Sequence, residues 1–306
     1  FRPACIQANM LRNYSAIRII SNSYRIKSKM KYKEVISKLK SLANPEAVKG
    51  MARFGINLDK TLGISIPQLR ALAKQIGKPC GATAPLVGNS AETGSTYRSG
   101  PNIQPAAELK LLRRDRKQRA ISEAHRAHHS LALQLWASGI HEARILAGLI
   151  DQPEKVTEKQ MDKWVEDFDS WDVCDGVCMN LFDRLASAPK KAVAWSKRKE
   201  EFVKRAGFAL MACLAWHRKD MPDREFIRFL PLIKRESTDN RNFVKKAVNW
   251  ALRQIGKRNC YLNKQAIKTA KEIQKIDSGS ARWIASDAIR EMSGKAVQAR
   301  LQETKR

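Results

Sequence analysis

Acidic side chains are missing from the first 33 residues of this 306-residue chain, which carry eight Lys and Arg between Arg2 and Lys33. That Arg- and Ser-bearing, acid-free stretch resembles an organellar transit peptide, and residues 1–29 are expected to be a basic leader, disordered or loosely helical. Long apolar runs are also missing. None approaches the roughly 18 residues of a membrane-spanning helix, so no membrane partner is expected and the reading is a soluble intracellular protein. Cysteine is sparse. The six (Cys5, Cys80, Cys174, Cys178, Cys213, Cys260) contain no Cys-x-x-Cys spacing, and Cys174 and Cys178 have no matching His pair nearby. Neither a zinc site nor any other metal or cofactor is expected, and the thiols read as buried side chains of a reducing compartment. The five histidines show no triad or metal spacing, and the chain lacks both a Gly-rich phosphate loop and a Gly-x-Ser-x-Gly elbow.

Positive charge is in excess. Lys and Arg number 58 against 30 Asp and Glu, a formal net charge of +28. Each cation set beside a phosphate releases a condensed counterion, so such an excess favours a polyanionic partner. A 43% hydrophobic content supplies a sizeable core.

From Met30 onward the hydrophobic pattern is helical. Val35, Ile36, Leu39 and Leu42 recur at helix spacing, Asn44-Pro45 breaks the run, and a second helix is expected over 66–76. The texture then changes. Pro79, Gly81, Pro85, Gly88, Gly94 and Gly100 fall in a Ser/Thr-rich stretch, and Ala106 to Arg126 is helix-permissive but densely basic. Residues 79–126 are accordingly read as an insertion in a domain spanning 30–306, with 79–105 irregular. Helical periodicity resumes at Leu131, with windows at 131–150, 158–168, 171–187, 190–196, 200–216, 223–235, 241–257, 263–276 and 280–293. No segment alternates like a strand. Phe202-Val203-Lys204-Arg205-Ala206 is echoed by Phe243-Val244-Lys245-Lys246-Ala247, and Ala251-Leu252-Arg253-Gln254-Ile255 by Ala288-Ile289-Arg290-Glu291-Met292. Helix pairs repeated at roughly 40-residue intervals predict an all-α, HEAT-like solenoid, a curved superhelix presenting one helix of each pair on its inner surface.

Three constellations carry chemistry. Over 241–257, Val244, Ala247, Val248, Ala251, Leu252 and Ile255 form an apolar stripe, and Trp250 lies off it beside Lys246 and Arg253. Two readings stand: Trp250 contacts nucleic acid among phosphate-neutralising cations, or it packs beneath the next repeat. In Ser170-Trp171-Asp172-Val173-Cys174-Asp175, Trp171 and Asp175 share one helical face. Helix capping by Asp169 or Ser170 and first-turn electrostatics account for Asp172 and partly for Asp175; an acid inside a cationic groove is also a catalytic candidate. Lys204, Arg205 and Lys245 stand clear of their apolar stripes and are expected, with Lys246 and Arg253, to contact DNA.

At these residues the chain resembles the DNA alkylation repair family, the AlkD-like glycosylases with HEAT-like repeats. The resemblance rests on Leu135-Trp136-Ala137-Ser138-Gly139 with Glu142-Ala143-Arg144, on Asp169 to Asp175, and on the two echo segments at Phe202 and Phe243. It covers about 30–78 and 127–293. The 79–126 stretch and the leader depart from the family's pattern. The resemblance implies a monofunctional enzyme that hydrolyses the N-glycosidic bond of cationic alkylpurines in duplex DNA, of the 3-methyladenine and 7-methylguanine class. It implies no cofactor and no metal, an essential carboxylate at Asp175, groove tryptophans at Trp171 and Trp250, and a groove arginine at Arg205. A single chain acting as a monomer is expected. The alternative is a non-enzymatic HEAT-like nucleic-acid-binding or scaffold protein.

Overall fold

The computed structural model describes residues 30–77 and 105–303; the leader and residues 79–104 of the expected insertion lie outside it. Among the described residues there are fourteen α-helices and no strand. The first are α1 (Tyr32–Ser41), α2 (Pro45–Met51) and α3 (Ile66–Ile76). Then come α4 (Pro105–Ala137), α5 (His141–Ile150), α6 (Glu158–Glu166), α7 (Trp171–Asn180) and α8 (Ala188–Trp195). The last described helices are α9 (Glu201–His217), α10 (Asp223–Glu236), α11 (Asn242–Gly256), α12 (Cys260–Gln274), α13 (Gly279–Met292) and α14 (Lys295–Glu303).

From α3 onward the helices sort into two rows. The odd-numbered helices α3, α5, α7, α9, α11 and α13 touch in succession and form the inner row; α8, α10 and α12 form an outer row packed behind them. This is the expected HEAT-like arrangement, and the echo segments explain it. Phe202 and Phe243 open α9 and α11 at equivalent positions, with ring centroids 5.4 Å apart. Helix α9 is the most enclosed element: Ala206 through Ala215 is buried without interruption. Gly207 permits this depth, because a Cβ there would stand 2.4 Å from the Ser196 backbone nitrogen.

Helix boundaries follow local chemistry. Thr157, Asn259 and Ser278 cap α6, α12 and α13 by accepting backbone N–H bonds from Gln160, Leu262 and Ala281, each contributing about 1 kcal/mol. The window 131–150 is divided at Ser138-Gly139-Ile140, where Gly139 takes the left-handed φ of 69°. The window 171–187 stops as an α-helix at Asn180 and continues as a 3₁₀ turn at Phe182–Arg184. Helix α4 runs unbroken from Pro105, so residues 105–126, assigned by composition to the insertion, are continuous with a helix of the core. That helix is docked from behind: Trp136 stacks on Trp164 at 4.0 Å and 2°, and its indole donates to Asp167 at 2.7 Å. The cysteines Cys174, Cys178 and Cys213 are buried free thiols. Burial pushes Cys178 and Cys213 well above the ordinary thiol range, which removes them as nucleophiles.

Candidate active site on the inner row

Asp175 and Arg205 form the centre. One turn along α7 from Trp171, the Asp175 carboxylate receives two bonds from the Arg205 guanidinium on α9, Nε to Oδ1 at 2.9 Å and Nη2 to Oδ2 at 2.7 Å. The third guanidinium nitrogen donates to the Phe243 carbonyl at the start of α11, 2.6 Å away. One arginine therefore ties three successive inner helices. Its side chain is 6% exposed, while that of Asp175 is 18% exposed, so the acid is the member of the pair that reaches the surface. Burial pushes the Asp175 carboxyl up, against the opposing pull of Arg205.

Trp171 opens α7, and its indole N–H donates to the Phe54 carbonyl at 3.1 Å. That contact brings in a segment absent from the sequence-derived site. Residues 52–60 cross the ends of α7 and α11: Asn57 donates to Asp169 at 2.9 Å, and Gly55 lies against the Phe243 ring. Gly55 has φ of 69°, and a Cβ there would stand 2.4 Å from the ring. Phe54 is 55% exposed with the Arg53 guanidinium over its ring at 4.8 Å. Composition gave no hint of this, because the segment is irregular and its partners lie more than a hundred residues away.

The acids around Asp175 have other duties. Asp172 pairs with buried His141 at 2.9 Å and accepts from the Ser170 hydroxyl and its neighbour's backbone N–H at Val173. Ser170 occupies the N-cap position of α7 but spends its side chain on Asp172. Burial favours protonated Asp172 and neutral His141, yet their mutual pairing wins, holding Asp172 low and His141 high. Glu142, beside His141, is buried and accepts three successive backbone N–H groups, from Leu62, Gly63 and Ile64. It anchors the end of the 52–64 segment to α5. A lone acid and a histidine opening so apolar a helix were the only signals in the sequence for these two.

The remaining candidates divide. Trp250 is half-buried against the core on the inner row, so packing and surface exposure coexist at this residue. Lys246 is exposed, and Lys245 holds its ammonium 5.1 Å from the centroid of the exposed Trp283. Lys204 is engaged by Glu236, with Asp239 at 3.5 Å, and its side chain is only 12% exposed. Arg253 donates to Asp287 at 3.2 Å and to Glu291 at 2.5 Å. Three of the five expected DNA-binding cations, Lys204, Arg205 and Arg253, thus already have carboxylate partners, and Arg205 is sealed behind Asp175.

Paired helices in two rows, with an acid, an arginine and tryptophans on the inner one, define a HEAT-like helical-repeat protein. The family model described as DNA alkylation repair enzyme matches residues 35–86 and 107–292. The chain belongs to that family. No curated protein matches it. A solved structure of similar fold is described as a new family of proteins related to the HEAT-like repeat DNA glycosylases with affinity for branched DNA structures. It aligns with a TM-score of 0.60 and 18% identity over 85% of this chain and 95% of the other.

Proposed function

We propose that this protein hydrolyses the N-glycosidic bond of cationic alkylated purines in duplex DNA, with Asp175 as the catalytic carboxylate. The observation that carries the reading is the exposure of Asp175, one turn from Trp171, on the inner row of a repair-family fold. N-alkylation makes the purine a cationic leaving group. As the C1′–N bond breaks, its electron pair goes to the departing, now neutral base, and positive charge develops on the sugar. A partly desolvated carboxylate stabilises that charge far more than one in bulk water. Water then adds its oxygen to C1′ and releases a proton. Both Asp175 oxygens accept from Arg205, but each carboxylate oxygen has a second lone pair available to the groove. The pairing has a further use: a neutralised acid no longer repels the phosphates on either side of the lesion.

Trp171 and Trp250 supply faces for the sugar-phosphate backbone, with Lys246 and Lys245 as phosphate contacts. Arg205 acts as a positioning residue. Lys204 and Arg253 serve mainly the fold, through their carboxylate partners. The protein acts as a monomer, without cofactor, wherever the cell keeps its DNA.

A second reading follows from the same ion pair. With both oxygens engaged, Asp175 can be purely structural, leaving a DNA-binding protein without catalysis, in keeping with the affinity for branched DNA described for the structural relative. Single-turnover incubation with 7-methylguanine-containing duplex separates the two. Release of free base, lost in Asp175→Asn, supports the enzyme. Tight, salt-sensitive binding to duplex or junction DNA without release supports the binding protein, and affinity indifferent to salt would count against both.

A further inference from the structure

The outer row carries a cationic face that the proposed active site does not use. Along α12 and its C-cap residue, Tyr261, Lys264, Lys268, Lys271 and Lys275 follow one another at alternating three- and four-residue spacing and are all exposed, Tyr261 by 54%. The opposite face, Leu262, Asn263, Ala266, Ala270 and Ile273, is buried against the rest of the repeat. Like charges so spaced on a helix repel each other. Elsewhere in the outer row such charges are relieved. Lys190 and Lys191 of α8 reach Glu158 and Asp162, while Arg228, Lys234 and Arg235 of α10 reach Glu225, Glu272 and Glu236. Among the described residues, none of the four α12 lysines is within ion-pairing distance of a carboxylate. The acid within the stripe, Glu272, pairs with Lys234 at 2.7 Å; it also lies in the field of Lys268 and Lys275 but forms an ion pair with neither. Cations also crowd the end of the stripe next to Tyr261. Arg258 caps the end of α9 through the Ala215, Lys219 and Met221 carbonyls. Burial, with Arg258 and Arg300 nearby, pushes the Lys219 ammonium down.

We propose that the Tyr261–Lys275 stripe of α12 is a second DNA-binding surface, which holds the sugar-phosphate backbone of a duplex segment other than the one in the inner groove. From Lys264 to Lys275 the helix rises about 16 Å, a length along which one DNA strand presents about five phosphates. Four unpaired ammonium groups match that charge density. The flanking tyrosine adds an aromatic edge suited to a sugar or an unstacked base at a branch. Because α12 lies behind α11 and α13, a duplex on the stripe leaves Trp171 and Asp175 accessible. One chain then holds two duplex arms at once, as a branched DNA presents them. The proposal rests on the reading that the chain binds DNA.

The test compares the full chain with a variant carrying Lys264→Gln, Lys268→Gln, Lys271→Gln and Lys275→Gln together. All four side chains are exposed, so melting temperature is expected to hold and serves as the folding control. A short undamaged duplex should saturate the wild type at two per chain and the variant at one. Affinity for a four-way junction should fall about tenfold or more, and the slope of log affinity against log salt should lose about three to four. Release of 7-methylguanine should stay within twofold. Unchanged stoichiometry, junction affinity and slope would overturn the proposal. So would a variant defective only on vesicles of anionic phospholipid, since the stripe would then serve a membrane surface. If the wild type binds the junction through the stripe yet releases no base, the enzymatic reading fails while this one stands.

Discussion

At the scale of single residues, the Asp175–Arg205 pair makes the central prediction more demanding. Asp175→Asn removes the catalytic charge but also leaves a guanidinium buried without its partner, a loss on the order of 3 kcal/mol. For a domain of this size the melting temperature should fall by roughly 6–12 °C alongside the loss of base release. Adding Arg205→Gln removes the orphaned charge, so the double variant should regain most of the lost melting temperature and none of the activity. A double variant that recovers both would remove Asp175 from the mechanism. His141 makes a separate prediction. Its pKa lies above the usual 6.5, because pairing with Asp172 outweighs burial. The pair therefore stabilises fully below about pH 6.5, and that contribution is lost as pH rises through the elevated value. On the acid side it is lost as pH falls below the depressed value of Asp172. His141→Gln should lower the melting temperature at pH 6, by an amount equivalent to about 2 kcal/mol. The gap should narrow as pH rises through the elevated His141 value. A constant gap would mean that the ring contributes shape and not charge.

At the scale of elements, most of the helices were legible because burial imposes a 3.6-residue period on apolar side chains. The echo of Phe202 at Phe243 marks equivalent first turns of α9 and α11, and that of Ala251 at Ala288 marks equivalent last turns of α11 and α13. The boundaries escaped where the stop signal was weak. Ser138-Gly139 interrupts a run whose apolar spacing continues on both sides, and α4 starts where the Gly/Pro-rich stretch ends and runs through helix-permissive, basic residues assigned to the insertion. Of the candidate site, the Trp171/Asp175 face was readable from four-residue spacing alone. The partners were not: nothing in Lys204 or Arg253 reveals that Glu236, Asp287 and Glu291 await them from helices about 35 residues on. Helix α4 itself offers a test. The family match pauses between 86 and 107, whereas Ala124, within the composition-defined insertion, is buried in the core. A chain lacking residues 87–104 should melt cooperatively within a few degrees of the full protein. A chain lacking 79–126 should lose that cooperativity, since the deletion cuts away the first two-thirds of α4. Equal behaviour of both deletions in calorimetry would show that the front of α4 contributes nothing to the core.

At the scale of the whole molecule, stacked repeats ordinarily contact only their neighbours, so their stability is a sum of local terms and their ends fray independently. Residues 52–60 break that rule. Their backbone and side chains meet Asp169, Trp171 and Phe243, joining the region of the first described helices to a helix about 190 residues later. Gly55 is the tightest point, held in a left-handed conformation against an aromatic ring. Gly55→Val should both strain that backbone and push the segment off Phe243, costing about 2–3 kcal/mol. The larger effect should be qualitative, with one thermal transition becoming two and the amide hydrogens of α1 to α3 exchanging before those of α9. A single transition, merely shifted, would mean that the segment rests on its neighbours without coupling them. In the language of one-dimensional lattices, this loop adds a long-range bond to an otherwise nearest-neighbour chain, so the spring behaves as a ring whose mechanical closure lies beside Trp171.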